Sequence, residues 1–284
     1  MRLIKPSYSI IEQPPGLEGV YKMIEIAGRT CYKSEDKITE DSAAAFVDRM
    51  FKSGHGAMLE HGTVYLDIPW NDTEEAFSLQ LKLRIHKYDS NKYSRVVDTE
   101  EHHSYITTNL RVLIENGWID DLQYICEPTE HHIKRVSVRF ITDQGILREF
   151  TRHRSMSFAV ESTRYCNYSK ERFNNEVTFI YPCWLLDGDL SVEAEECFKY
   201  ALQKAEQSYF HLLQEGWKPQ QARNVLPLAT KCEIIMTGFV DDWRHFFLLR
   251  SSIASSGKPH PQAEELAQPL MIEFINKGYM ESIT

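Results

Sequence analysis

The chain has 284 residues, 42% of them hydrophobic, which is enough to bury a substantial core in one large domain, with two domains still allowed. A net charge of −9 and a pI near 5.7 argue against a chain whose main business is coating nucleic acid or an anionic membrane, while leaving room for local basic pockets. The six cysteines show no Cys-x-x-Cys pair or zinc spacing and read as reduced, mostly buried thiols; with no apolar leader and no sustained apolar run, the cytoplasm is the expected location.

In chain order, residues 3–11 suit a first strand, and 17–28 a helix with Val20, Met23 and Ile24 on one face. Residues 39–53 form a better helix, capped by Thr39 or Asp41, striped by Phe46, Val47, Met50 and Phe51, and closed by Gly54. His55, Glu60 and His61 follow, but the segment opens on glycine punctuation and lacks a helical i, i+4 histidine pair, so a metal site is not expected. Val64, Leu66 and Ile68 then alternate as a strand requires. The interval 70–132 is polar and rich in turn signals, with one short helix at 110–116, and reads as an insertion that cannot form a core. Its adjacent histidines, His102/His103 and His131/His132, read as solvated surface.

Val136, Val138 and Phe140 predict a strand leading into a helix that Thr142 or Asp143 can cap, with Ile146, Leu147 and Phe150 at helical spacing. Arg152-His153-Arg154 comes next, then Ser162 and Arg164, gathering three arginines, a histidine and a hydroxyl where an anion would find counter-charges. Continued helix numbering puts Arg154 on the stripe of Leu147 and Phe150, and a buried arginine needs an anion. The alternative is a solvated helix end that favours the macrodipole. A strand at 177–180, a helix at 191–215 capped by Ser191 and ended by Gly216, a turn of helix started by Pro219 and stopped by Pro227, and a strand at 231–240 follow. Asp241 or Asp242 caps the next helix, where Arg250 shares a face with Trp243, Phe246 and Phe247 and has few evident partners. Such a charge either meets something anionic or carbonyl-rich, or packs its stem on the aromatics and snorkels. A last helix occupies 263–278. No repeat, linker, Gly-x-Gly-x-x-Gly fingerprint or Walker loop appears.

Arg-His-Arg, seven residues, then Ser162-Thr163-Arg164-Tyr165 closely resembles the signature of flavin-dependent thymidylate synthases. Its companions are His55 with Glu60-His61 before a strand, Ala222-Arg223-Asn224-Val225-Leu226-Pro227, Leu249-Arg250 and His260-Pro261-Gln262. The resemblance implies an α+β fold of the thymidylate synthase-complementing type, a central antiparallel sheet flanked by helices in a single domain 1–284 with the insertion at about 70–132. It implies reductive methylation of dUMP with methylenetetrahydrofolate as carbon donor and NADPH-reduced FAD as hydride carrier, in a homotetramer whose sites draw on more than one subunit. His55, Arg152, His153, Arg154 and His245 would bind cofactor. Glu149, Arg152, Glu161, Ser162, Thr163, Arg164, Arg223 and Arg250 would bind substrate, with Arg250 catalytic beside the uracil; no metal, nucleic acid or membrane is implied. The chain departs from the pattern at Ala57, Val160, Phe239 and His245. Two other readings are a cysteine-dependent nucleotide methyltransferase, hinted at only by Pro182-Cys183, and a non-enzymatic nucleotide or nucleic-acid binding protein using the same arginines.

Overall fold

The computed structural model describes residues 1–70, 85–185, 191–254 and 257–283. Its strands are β1 (Arg2–Ile4), β2 (Ser7–Ile11), β3 (Thr63–Pro69), β4 (Arg95–Asp98), β5 (His103–Asn109), β6 (Arg135–Asp143), β7 (Ser157–Val160), β8 (Thr178–Ile180) and β9 (Lys231–Phe239). The helices are α1 (Gly16–Tyr32), α2 (Ser42–Lys52), α3 (Gly56–Leu59), α4 (Leu110–Glu115), α5 (Gln144–Phe150), α6 (Val192–Gln214), α7 (Pro219–Ala222), α8 (Val240–Arg250) and α9 (Pro261–Asn276).

Alternation along β6 and β9 decides the layers. The two strands pair antiparallel from Arg135 opposite Phe239 to Asp143 opposite Lys231, and β2 and β7 complete the order β2-β6-β9-β7. Val136, Val138, Phe140, Ile234 and Met236 point to one face, where they join Trp243, Phe246 and Phe247 of α8 and Leu266, Leu270 and Phe274 of α9. On the other face Ile235 and Ala159 join Val20, Met23 and Ile24 of α1, Phe46 of α2 and Leu66 of β3. Burying each large apolar side chain contributes about 1.5–3 kcal/mol, so this sheet is clamped from both sides. A third core gathers Cys166, Tyr168, Phe179, Leu202 and Tyr209 beneath α6. The expected α+β architecture around a central antiparallel sheet is therefore present, with Ser191 capping α6 and Gly54 and Gly216 in the left-handed region at φ 72° and 88°.

Two expectations are corrected. The strand expected at 3–11 is divided at Lys5-Pro6: β1 pairs parallel with β8, and β2 pairs antiparallel with β6. Pro6 has no N–H for a continuous ladder, which fits a change of sheet at that point.

Within the interval 70–132, the described residues 85–132 do form core. Its β4 and β5 extend β3 into a sheet of order β3-β5-β4, and Ile85, Tyr88, Ile106, Leu110 and Leu113 are buried. Average polarity concealed this because several of the polar residues are small and bonded inside: Ser94 meets Thr108 at 2.8 Å, and Trp70 Nε1 donates to Ser104 Oγ at 3.2 Å. The histidines are likewise not uniformly solvated. His132 is buried, donating from Nε2 to Leu66 O (3.1 Å) while Nδ1 accepts from Thr129 N (3.1 Å), and burial pushes its pKa down. His103 bonds Asp67, His102 packs edge-on to Trp70, and only His131 is exposed. Ile106→Val should accordingly lower the free energy of unfolding by about 0.5–1.5 kcal/mol. Urea denaturation checks this, and a peripheral loop would show no change.

Candidate active site

Asp143 starts α5, its Oδ1 accepting from Ile146 N (2.8 Å) while Oδ2 accepts from Gln262 Nε2 (2.9 Å) and ties α9 to the same point. The helix closes at Phe150, with Thr151 Oγ1 donating back to Leu147 O (3.1 Å), so Arg152-His153-Arg154 lies in the turn beyond it. This overturns the placement of Arg154 on the apolar stripe: Arg152 and Arg154 are exposed, and His153 is the buried member. Neither exposed guanidinium has a hydrogen bond or ion pair among the described residues.

His153 packs against Phe246 and His245, with ring centroids 5.0 and 6.0 Å away. Burial, then the neighbouring Arg250 and His245, push its pKa down to about 4, so at neutral pH the imidazole is uncharged. Its Nε2 accepts from Arg250 Nε at 3.3 Å. Arg250 also donates through Nη1 to the Glu149 carboxylate and through Nη2 to Glu149 O (2.9 Å). The sequence left open whether Arg250 meets an anion or carbonyl or snorkels; it meets both the carboxylate and the carbonyl of Glu149, which also corrects the expectation of few partners. The helix that carries it is fixed at its other end, where Phe239 N donates to Asp242 Oδ2 (3.0 Å) and Trp243 Nε1 donates to Val136 O (3.0 Å). A cleft of about 410 Å³ opens beside Glu149, walled by Trp184, Phe198, His260 and Gln262. Trp184 and His260 meet edge to face at 6.0 Å.

β7 leads from the triplet to a second group. Glu161 is buried and accepts from Glu233 N (2.9 Å), Lys231 Nζ (2.9 Å) and Cys166 Sγ (3.3 Å). Glu233 in turn accepts from Lys33 Nζ (2.6 Å), Arg139 Nε (2.9 Å) and Lys231 Nζ. Burial opposes its ionisation, but Lys231, Lys33 and Arg139 outweigh it and hold the carboxyl at about 2. Sequence reading missed Lys33, Arg139, Lys231 and Glu233. The available signal was the period-two placement of Lys231 and Glu233 on one face of β9.

Beyond Glu161, Ser162 N donates to Cys31 O (3.0 Å), and Thr163 Oγ1 accepts from Arg223 Nη1 (2.6 Å). Arg164 is exposed, with no hydrogen bond or ion pair among the described residues. His55 belongs on this side: its Nδ1 meets Tyr32 OH at 2.6 Å, and Tyr32 meets the Tyr165 ring at 5.5 Å. His61, in contrast, is fully buried with Nδ1 on Thr237 Oγ1 at 2.8 Å, so the two histidines of that segment face different surroundings. The expected site residues thus fall into two sets, Glu149, Arg152, His153, Arg154, His245 and Arg250 in one, and His55, Glu161, Ser162, Thr163, Arg164 and Arg223 in the other. β7 lies in the chain between the triplet and Glu161. No hydrogen bond, ion pair or ring contact joins the two sets among the described residues.

A guanidinium fixed by Glu149 and His153, with exposed guanidiniums before and after β7 that have no hydrogen bond or ion pair among the described residues, gives this α+β protein groups able to meet anions. Residues 126–276 match the family described as Thymidylate synthase complementing protein, and the chain belongs to that family. It is 28% identical over 158 residues to a flavin-dependent thymidylate synthase of Haloarcula marismortui, covering 50% of this chain and 64% of that one. It is 23% identical over 259 residues to the Corynebacterium glutamicum protein of the same name, covering 85% and 72%. A match to the Halobacterium salinarum protein of that name, 26% identical, covers 39% of this chain and 51% of that one, so the chain spans between half and two thirds of the first relatives it matches. Among solved structures, a UMP/dUMP methylase PolB from Streptomyces cacaoi bound with 5-Br dUMP aligns over 97% of this chain and 93% of that one, at 17% identity and a TM-score of 0.45.

Proposed function

We propose that this protein is a flavin-dependent thymidylate synthase that methylates dUMP to dTMP, taking the carbon from methylenetetrahydrofolate and using FAD reduced by NADPH. The observation that carries this reading, beyond the family, is Arg250 held by His153 and by Glu149, the latter a lining residue of the cleft. Uracil C5 is a poor nucleophile, and a permanently protonated, pre-positioned guanidinium stabilises negative charge developing on the pyrimidine. His153 fixes the plane of that guanidinium because its neutral Nε2 accepts from Nε. The nucleotide phosphate would be met by Ser162, Arg164 and Arg223, whose fork geometry suits bidentate contact.

The residues present fit FAD: Arg152 and Arg154 are exposed and unpaired among the described residues, as binding a diphosphate requires. When bound, FAD supplies the hydride that completes the methyl group. Arg152, His153, Arg154 and His245 would hold it, and His55 would border the approach of folate or NADPH. Burial pushes the thiols of Cys31, Cys126, Cys166 and Cys232 up, that of Cys126 to about 11, which disfavours those four as nucleophiles; Cys183, the cysteine singled out in the sequence, is tested by its own substitution. The acidic balance disfavours a nucleic-acid binding role. No helix among the described residues is long and apolar enough to cross a membrane, which agrees with a cytoplasmic enzyme. A single domain, with the interval 70–132 built into it, completes the reading.

The purified protein should be yellow or take up FAD, and with reduced FAD it should release tritium from C5-labelled dUMP. A colourless protein that FAD does not stabilise, and that releases no tritium, would sink the proposal. Separation of the two residue sets along β7 further supports sites shared between subunits of a homotetramer. Arg250→Ala and Arg223→Ala chains, each inactive alone, should regain part of the activity when assembled together. Mixed assemblies as inactive as either parent would refute sharing.

A further inference from the structure

Two deeply buried arginines are treated very differently by this fold. Arg29 is held by the Glu25 carboxylate through Nε (3.1 Å) and Nη2 (2.9 Å). Arg135 is 8% exposed and donates from Nη1 only to neutral oxygens, Glu60 O at 3.1 Å and Thr63 Oγ1 at 3.2 Å. The Glu60 carboxylate is engaged by Arg111 instead, and among the described residues no carboxylate comes within 4.0 Å of Arg135. Its buried Nε has no hydrogen-bond acceptor among the described residues. Arg95 adds to the surplus of positive charge, since both guanidiniums lie over the Phe239 ring, at 4.4 and 5.4 Å. Burial, only partly offset by Tyr65 and the more distant carboxylates of Glu60 and Asp242 and reinforced by Arg95, pushes the Arg135 pKa down to about 10. A charge left in this condition is costly unless an anion reaches it.

A cavity of about 130 Å³ lies beside it. Arg135, Thr63 and Ser137 are buried lining residues, whereas Glu12, Glu127 and Lys134 are exposed lining residues and form the rim. Glu12 is already engaged by Tyr279 OH (2.8 Å). Gly16, which opens α1, also lines the cavity, and the first turn of that helix has no side-chain cap, so its N–H groups and dipole favour negative charge there. Gln13 does not compete, because its amide is bonded both ways to the Thr63 backbone at 2.8 and 2.9 Å. A cavity of this size has room for one small oxyanion.

We propose that this cavity is a binding site for a small oxyanion, a phosphate or carboxylate group seated between Arg135 and the first turn of α1. It would join the segment before α1 to β3 and β6, and it uses none of the residues assigned to nucleotide or flavin. The test is calorimetric and thermal titration of the full chain with inorganic phosphate, and separately with acetate, in an Arg223→Gln background that weakens the other phosphate site. Saturable binding of one anion per chain with a raised melting temperature is expected, and the anion preferred identifies the source. Arg135→Gln should weaken binding at least roughly tenfold, the worth of a charged hydrogen bond. Lys134→Glu, an exposed rim change that leaves the core alone, should weaken it roughly threefold to tenfold through charge reversal. Absence of saturable binding by either anion overturns the proposal, as does equal binding by the Lys134→Glu chain. If Arg135→Gln fails to fold, the Lys134→Glu result alone decides.

Discussion

Arg250→Ala is expected to slow the chemical step by about 2.7–4 kcal/mol, the scale of losing one preorganised donor to developing negative charge. The geometry says why the effect should be this large. Arg250 makes three hydrogen bonds, to His153 Nε2, the Glu149 carboxylate and Glu149 O, so its guanidinium is already oriented. Arg250→Lys should recover little, because one ammonium cannot reproduce a planar fork that bonds a carboxylate, a carbonyl and an imidazole at once. Cys183→Ala should leave turnover nearly unchanged. Tritium release from C5-labelled dUMP, with FAD reduced beforehand, measures all three variants, and far-ultraviolet circular dichroism separates lost chemistry from lost fold. Full activity in Arg250→Ala alongside loss in Cys183→Ala would reverse the assignment of the electrophilic group.

Glu233→Ala should destabilise the fold by about 3–5 kcal/mol, as expected when one partner of a buried ionic network is removed and its counter-charges are stranded. Lys33, Lys231 and Arg139 all converge on that carboxylate, which is 9% exposed. Three cations would remain against Glu35 and Glu161. The pH dependence follows from the depressed carboxyl. Its value of about 2 in the folded chain lies below the ordinary 4.5, so the contribution is fully present above 4.5 and is lost as pH falls through 2. Denaturant titrations at pH 6 and at successively lower pH should show the gap between wild type and variant closing over that window. A gap that is constant with pH would mean that shape, and not charge, supplies the stabilisation.

Features governed by neighbours in the chain were readable directly. Asp143 and Ser191 cap helices through their own side chains, Gly54 and Gly216 take the positive φ that ends a helix, and the alternation of Val64, Leu66 and Ile68 marks a buried strand. The Arg-His-Arg triplet and Arg250 were legible for another reason: charge beside an apolar stripe is costly enough to indicate function. The same local logic failed at Arg154, where helix periodicity was carried four residues past Phe150, the point at which the chain turns away. It failed again in 70–132, because composition counts polar atoms without knowing which find partners; His132 and Thr108 are polar and buried because Leu66 O and Ser94 Oγ are there to meet them.

The sequence by itself determined the family pattern, the helices and strands around it, and the arginines able to meet anions, since these depend on spacings of a few residues. Only the tertiary structure decided which charges answer which. Glu149 reaches Arg250 across 101 positions, Glu233 reaches Lys33 across 200, and Arg135 has no carboxylate within 4.0 Å among the described residues. Such pairings are fixed by strand register and by the face to which each side chain turns. A one-residue slip of β9 would send Glu233 into the aromatic core and leave its three cations unmatched.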